Sequence, residues 1–203
     1  MSRSVTACLL GVVLLAGCEG GSEPTKKISG KSNRVATTPH DSATTGAKLG
    51  NSGGPVELDK ITLTAPPGWD RRAPSSGFVL AEFYLPKVEG ADRDGRLTVS
   101  TAGGDLEANI ERWRSQFGGK PEKESRRTTN ADGLEITLVD YSGEFNDQRG
   151  PFAPATPQPG SRMLAAIIPI EGELFFVKAV GPEKTIAKYA DEFVAFVESV
   201  KRR

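Results

Sequence analysis

Hydrophobic and polar positions divide this chain into three unequal stretches. Val5 to Ala16 is a short apolar run that starts just after Arg3. From Glu19 to about Gly54 the residues are mostly Ser, Thr, Gly, Asn, Lys and Ala, with Ile28, Val35 and Leu49 as isolated larger aliphatics. So little apolar surface cannot offset the entropy of ordering the chain, and the stretch reads as a disordered tether. From Pro55 to Arg203 apolar residues recur with the periods of strands and helices, over a length suited to one domain.

Within that domain the pattern predicts a strand over Leu58 to Ala65, stopped by Pro66-Pro67-Gly68 before Trp69. Phe78 to Leu85 alternates, with Val79, Ala81, Phe83 and Leu85 on one face and Glu82 on the other; Arg96 to Thr101 follows with Leu97 and Val99 facing one way. After Gly103-Gly104, Asp105 is placed to cap a helix to about Phe117, whose Leu106, Ile110, Trp113 and Phe117 share a face suited to packing on a sheet. Glu124 to Thr129 and Leu134 to Phe145 form a hairpin across Asn130-Ala131-Asp132-Gly133. A long loop, Asn146 to Gly160, comes next. Met163 to Ile170 and Leu174 to Val180 are apolar on both faces, as central strands covered on both sides would be. A last helix, Thr185 to Val200, puts Ile186, Tyr189, Phe193, Phe196, Val197 and Val200 on one stripe, with Lys201, Arg202 and Arg203 near its C-terminus. The expected fold class is α+β: an antiparallel sheet of about six to seven strands with helices on both faces.

The first apolar run is too short for a permanent membrane span and has the layout of an export signal. It ends in Leu15-Ala16-Gly17-Cys18. Small residues at 16 and 17 before a cysteine suit a lipoprotein signal peptidase, which needs a slim chain and a thiol that already carries diacylglycerol. The expectation is a bacterial lipoprotein with a signal peptide over 1–17, lipid on Cys18, a tether over 18–54 and a globular domain over 55–203. Two or three acyl chains, at ~0.8 kcal/mol per buried methylene, make a stable attachment. The tether has an end-to-end distance near ~35 Å, enough to hold the domain clear of the headgroups. This places the domain on the periplasmic or extracellular side of the cell envelope.

Charge narrows the function classes. The chain has 203 residues with 26 basic and 26 acidic side chains, and loss of the signal, whose only charge is Arg3, leaves 25 basic residues. A near-neutral mature protein without a polybasic stripe has no electrostatic reason to seek nucleic acid. Cys8 leaves with the signal and Cys18 is acylated, so the domain has no thiol for a disulfide, a zinc site or a nucleophile. The one histidine, His40, lies in the tether, where nothing can position it. Serine-triad and thiol catalysis are therefore excluded, leaving paired carboxylates among Glu135, Asp140 and Glu144 as the remaining hydrolytic route.

Three motifs carry a resemblance: Pro66-Pro67-Gly68-Trp69, the Gly-Gly-Asp-x-x-x-Asn-x-x-x-Trp-x-x-x-Phe segment over 103–117, and Phe175-Phe176-Val177-Lys178 leading through Gly181-Pro182 into the terminal helix. The chain resembles exported lipoproteins of planctomycete type, and its order of elements is similar to the PsbP/Mog-like fold of a photosystem extrinsic subunit and a nuclear-import regulator. The resemblance spans most of residues 56–200 and brings no catalytic residues with it. What it implies is a binding or assembly-assisting module.

The remaining motifs are weak as chemistry. Asp92-Arg93-Asp94-Gly95 with Glu89 lacks the later oxygens of a calcium loop and carries opposing arginines, so it reads as a solvated turn, and no metal or cofactor is implied. Asp105 already occupies the helix N-terminus that an anion would use. Asn109, Arg112 and Gln116 project beside Trp113, either to bind a ligand or to lock the helix to a neighbouring loop. In the 146–160 loop, Pro151 and Pro154 flank Phe152 near Arg149, so the segment either loses little entropy on binding and presents an aromatic to a partner or is a tolerated surface insertion. The reading is a lipid-anchored, non-enzymatic module attached to the membrane through Cys18 and binding an unknown protein or envelope partner. The alternatives are a carrier of a small apolar ligand and a carboxylate-dependent hydrolase.

Overall fold

The computed structural model describes residues 49, 53–148 and 154–203. Leu15, Ala16, Gly17, Cys18, His40, Arg149, Pro151 and Phe152 lie outside them. The fold is α+β. β1 (Gly54–Glu57) and β2 (Ile61–Ala65) make a hairpin, followed by β3 (Asp70–Arg72), β4 (Val79–Leu85) and β5 (Gly95–Ala102) as a meander. Helix α1 (Leu106–Ser115) carries the chain to the far edge, where β6 (Lys123–Ala131) begins. β7 (Leu134–Asp147), β8 (Thr156–Ile170) and β9 (Glu173–Pro182) step back until β9 meets β5. The result is an antiparallel seven-stranded sheet in the order β3-β4-β5-β9-β8-β7-β6. α2 (Glu183–Lys188), α3 (Ala190–Glu198) and β10 (Lys201–Arg202) complete the chain, β10 joining β2 in a small second sheet.

Each face of the large sheet has its own core, which is why β8 and β9 are apolar on both sides. On one face Ile110, Trp113 and Phe117 pack on Val139, Tyr141, Met163 and Phe176, with the Trp113 and Phe176 rings edge-on at 5.2 Å. On the other, α2, α3 and the small sheet bury Phe83, Leu97, Val177, Phe193 and Phe196. Trp69, fully buried, meets Phe83 and Phe196 edge-on, and its indole nitrogen donates to Glu192 at 2.7 Å. A buried indole needs such an acceptor. Two tight turns set the hairpin registers. Asp132-Gly133 and Glu171-Gly172 both have positive φ at both positions, as a two-residue turn between twisted strands requires.

Three expectations change. The terminal helix is broken at Tyr189, whose buried ring and hydroxyl bond to the Pro86 carbonyl at 3.1 Å hold the turn between α2 and α3. The apolar stripe still faces the core; what differs is the continuity of the axis. Lys201 and Arg202 do not serve a helix terminus: they pair with Thr62 and Ile61, and Asp132 accepts from the Arg202 backbone at 2.9 Å. Both ends of the long loop are strand, with Asn146 opposite Pro157 and Asp147 opposite Thr156 beyond a bulge between Gly143 and Phe145, so the described residues extend the β7–β8 hairpin arm. Pro154 lies exposed beside that arm.

Gly181 faces Gly95 across the β5–β9 pair, so closely that a Cβ on Gly181 would meet the Gly95 Cα at 2.7 Å. Backbone cannot retreat as a flexible side chain can. Gly181→Ala is expected to lower stability by about 1–3 kcal/mol, read as a lower denaturation midpoint with an unchanged slope.

Candidate functional site

α1 does not cover its whole face of the sheet. Its apolar residues reach β7, β8 and β9, and Arg114 and Glu107 continue over β6 through ion pairs with Glu124 and Arg126. Register carries the same face outward in two polar rungs. One runs Lys178, Thr98, Glu82 and Arg72; the next runs Val180, Arg96, Tyr84 and Asp70. This half is covered instead by the loop after β3. Ser75 donates its backbone N–H to Glu82 at 2.9 Å, and its hydroxyl accepts from Arg96 at 2.8 Å. A polar seam is left between α1 and the Ser75 loop.

The seam is asymmetric in charge. Glu82, 1 % exposed, accepts from Arg96 at 2.8 Å. Burial pushes its carboxyl up, but hydrogen bonds from Arg96 and Ser75, helped by the Arg96 charge, outweigh this and hold it below the usual range. Arg72 pairs with Asp70 at 2.6 Å and lies over the Tyr84 ring. Among the described residues Lys178 has no such counter-ion. Its ammonium donates to the Gln116 side-chain oxygen, at 3.4 Å, and burial, then the Arg96 and Arg112 charges, push it down to about 8 against the pull of Asp147. Among the described residues, neither Lys178 nor Arg112 is in an ion pair. Two cations thus lie within electrostatic range of each other, and the acceptor that Lys178 meets is neutral. The arrangement suits an incoming carboxylate or another anionic group.

Of the residues singled out on α1, the structure separates one from two. Asn109 is buried and donates to the Asp105 carbonyl at 2.9 Å, so it ties the helix to its own start. Arg112 and Gln116, one turn apart, border Lys178. The Gln116 carbonyl also accepts from the Asn146 backbone at 2.7 Å, which docks the hairpin arm beside the seam and brings Asp147 within electrostatic range of Lys178. Lys178 itself was missed. The signal was there: it is the lone charge in the apolar run Leu174 to Val180.

Other chemistry finds less support. Asp140 is held by Arg162 through bonds of 2.9 and 2.7 Å. Asp140 and Glu144 are four residues apart on β7, about 13 Å at strand spacing, and Glu135 lies farther along; a glycosidase pair needs carboxyls within about 9.5 Å. A cleft of about 280 Å³ beside Asp140 and Arg162 is lined by charged side chains and serines, which does not suit an apolar ligand. Asp94 accepts from the Lys87 backbone at 2.9 Å and Asp92 pairs with Arg93 at 2.7 Å, so the turn's carboxylates serve the hairpin. No metal-binding cluster of acidic, histidine or cysteine side chains occurs among the described residues. No helix among them is long and apolar enough to cross a membrane.

No protein-family model matches the chain, and no curated protein sequence matches it. Solved structures do. Cyanobacterial PsbP (CyanoP) from Synechocystis sp. PCC 6803 is 14% identical with a TM-score of 0.43, over 76% of this chain and 99% of that one. LpqN of Mycobacterium tuberculosis, described as involved in cell envelope biogenesis, is 14% identical with a TM-score of 0.44, over 76% of this chain and 87% of its own. A Pseudomonas aeruginosa protein of unknown function gives 14% and 0.44 over 75% and 99%. At this level of likeness no activity, partner or residue role passes to this chain. The fold class stands on the strand order and helix placement described above.

Proposed function

We propose that this chain is a lipid-anchored protein of the bacterial cell envelope, and that its domain is a non-enzymatic module receiving an acidic group of a protein or envelope partner on the seam between α1 and the Ser75 loop. The observation that carries the reading is Lys178. A charge kept largely out of water, with no ion-pair partner among the described residues and within electrostatic range of a second such cation, is an unfavourable arrangement that an anionic partner would relieve. Arg149, Pro151, Phe152 and Pro154 of the 146–160 segment would supply a second part of the contact.

The anchor rests on Leu15-Ala16-Gly17-Cys18, with the tether over 18–54 holding the domain on the periplasmic or extracellular side. In cell fractionation, the unaltered protein is expected in the detergent-soluble membrane fraction. Cys18→Ala should release it or leave it uncleaved, and Cys8→Ala should change nothing. A cleaved Cys18→Ala protein that stays with the membrane would refute the anchor.

A further inference from the structure

Among the described residues three large hydrophobic side chains are exposed: Leu49 at 51%, Phe78 at 85% and Leu80 at 39%. All three lie at one end of the strand order. The Leu49 backbone donates to the Arg71 carbonyl of β3 at 2.9 Å, Phe78 closes the loop from β3 to β4, and Leu80 sits at the bulge that opens β4. The opposite edge, β6, reads Lys-Glu-Ser-Arg-Arg-Thr-Thr-Asn-Ala, and its ends toward solvent are charged or polar. Apolar exposure is therefore polarised across the sheet, and Leu49, the first described residue, lies on the apolar side.

From Cys18 to Leu49 there are roughly thirty residues, so a chain at most about 3.5 Å per residue long joins a lipid on Cys18 to the β3–β4 edge and limits how far that edge can stand from a bilayer. Phe78 is at a loop tip, where an aromatic ring can enter the headgroup layer without moving a strand. Arg71, on the same edge, can meet an anionic headgroup. A second copy of the chain is a poorer occupant: three side chains offer far less than the about 800 Å² per partner that a stable interface buries.

We propose that the β3–β4 edge rests on the lipid surface, with Phe78 inserted at the interface and the seam around Lys178 turned to the aqueous side. This rests on the lipid attachment at Cys18. The mature chain has no other cysteine, so the acylated full-length protein can carry one reporter. An environment-sensitive fluorophore on Ser76→Cys, which leaves Phe78 in place, would be compared with the same dye on Ser125→Cys of β6, in phosphatidylglycerol vesicles containing a spin-labelled lipid. At position 76 the lipid-borne quencher is expected to act at least about threefold more strongly than at 125, and Phe78→Ser should remove most of that difference. Vesicle flotation is read on the same samples. Protein that fails to float overturns the anchor, and this inference with it. Protein that floats but is quenched equally at both positions overturns the orientation alone, as does a dye at 76 that is shielded by a second protein molecule and not by lipid.

Discussion

Phe196→Ala is expected to lower the stability of the domain by about 3–5 kcal/mol, the usual cost of emptying a fully buried phenylalanine site. Phe196 is fully buried and lies edge-on to both Trp69 and Phe83 at 5.2 and 6.0 Å, so its loss leaves two large rings without their shared neighbour. A domain of ordinary stability holds only about 5–15 kcal/mol, and the melting temperature should fall by about 10 °C or more. Phe193, 2 % exposed on the same helix, should behave similarly. Phe78→Ser, at a ring almost entirely in solvent, should move stability by less than about 0.5 kcal/mol. A Phe196→Ala protein that melts with the unaltered one would mean that α3 does not close this core.

Lys178→Met should act in the opposite direction and stabilise the folded domain at pH 7. The ammonium is pushed down to about 8 in the fold from 10.5, so the folded state holds this proton less tightly than the unfolded chain. Between those pH values the unfolded chain binds more protons, and stability rises with pH through this window. Below pH 8 the full penalty is present. It amounts to up to about 3 kcal/mol before solvent screening of the partly exposed side chain, and methionine, of similar length and uncharged, recovers about 1–3 kcal/mol of it. Denaturant unfolding from pH 7 to 10.5 should therefore show a rising stability in the unaltered protein that is flattened in Lys178→Met. A lysine that lowers stability yet sits at the centre of the sheet is what a binding role predicts.

The layers of this fold were legible because each element carries a period that only one placement satisfies. Leu106, Ile110, Trp113 and Phe117 required a sheet under α1, and the unbroken apolar runs in β8 and β9 required cover on both faces. The breaks were less legible. Nothing in the stripe from Ile186 to Val200 announces the turn at Tyr189, since the bond that holds it comes from Pro86, about a hundred residues earlier. β10 is set by Asp132 across the molecule. The hairpin arm was hidden by its prolines, which read as loop although Pro157 is tolerated in the ladder opposite Asn146. Arg112 and Gln116 could be proposed from the helix face, and Lys178 stands out as the lone charge of its apolar run, but that it meets Gln116 depends on α1 packing on β9, a long-range contact that local pattern does not encode.

Competitive labelling of lysines with acetic anhydride, read by mass spectrometry across pH on the full-length protein, tests whether Lys178 receives an anionic group. Alone, Lys178 should titrate near 8. With saturating hexaglutamate its midpoint should rise by about one unit or more toward the ordinary lysine range. A Lys178 midpoint that is the same with and without the acidic peptide would contradict the account.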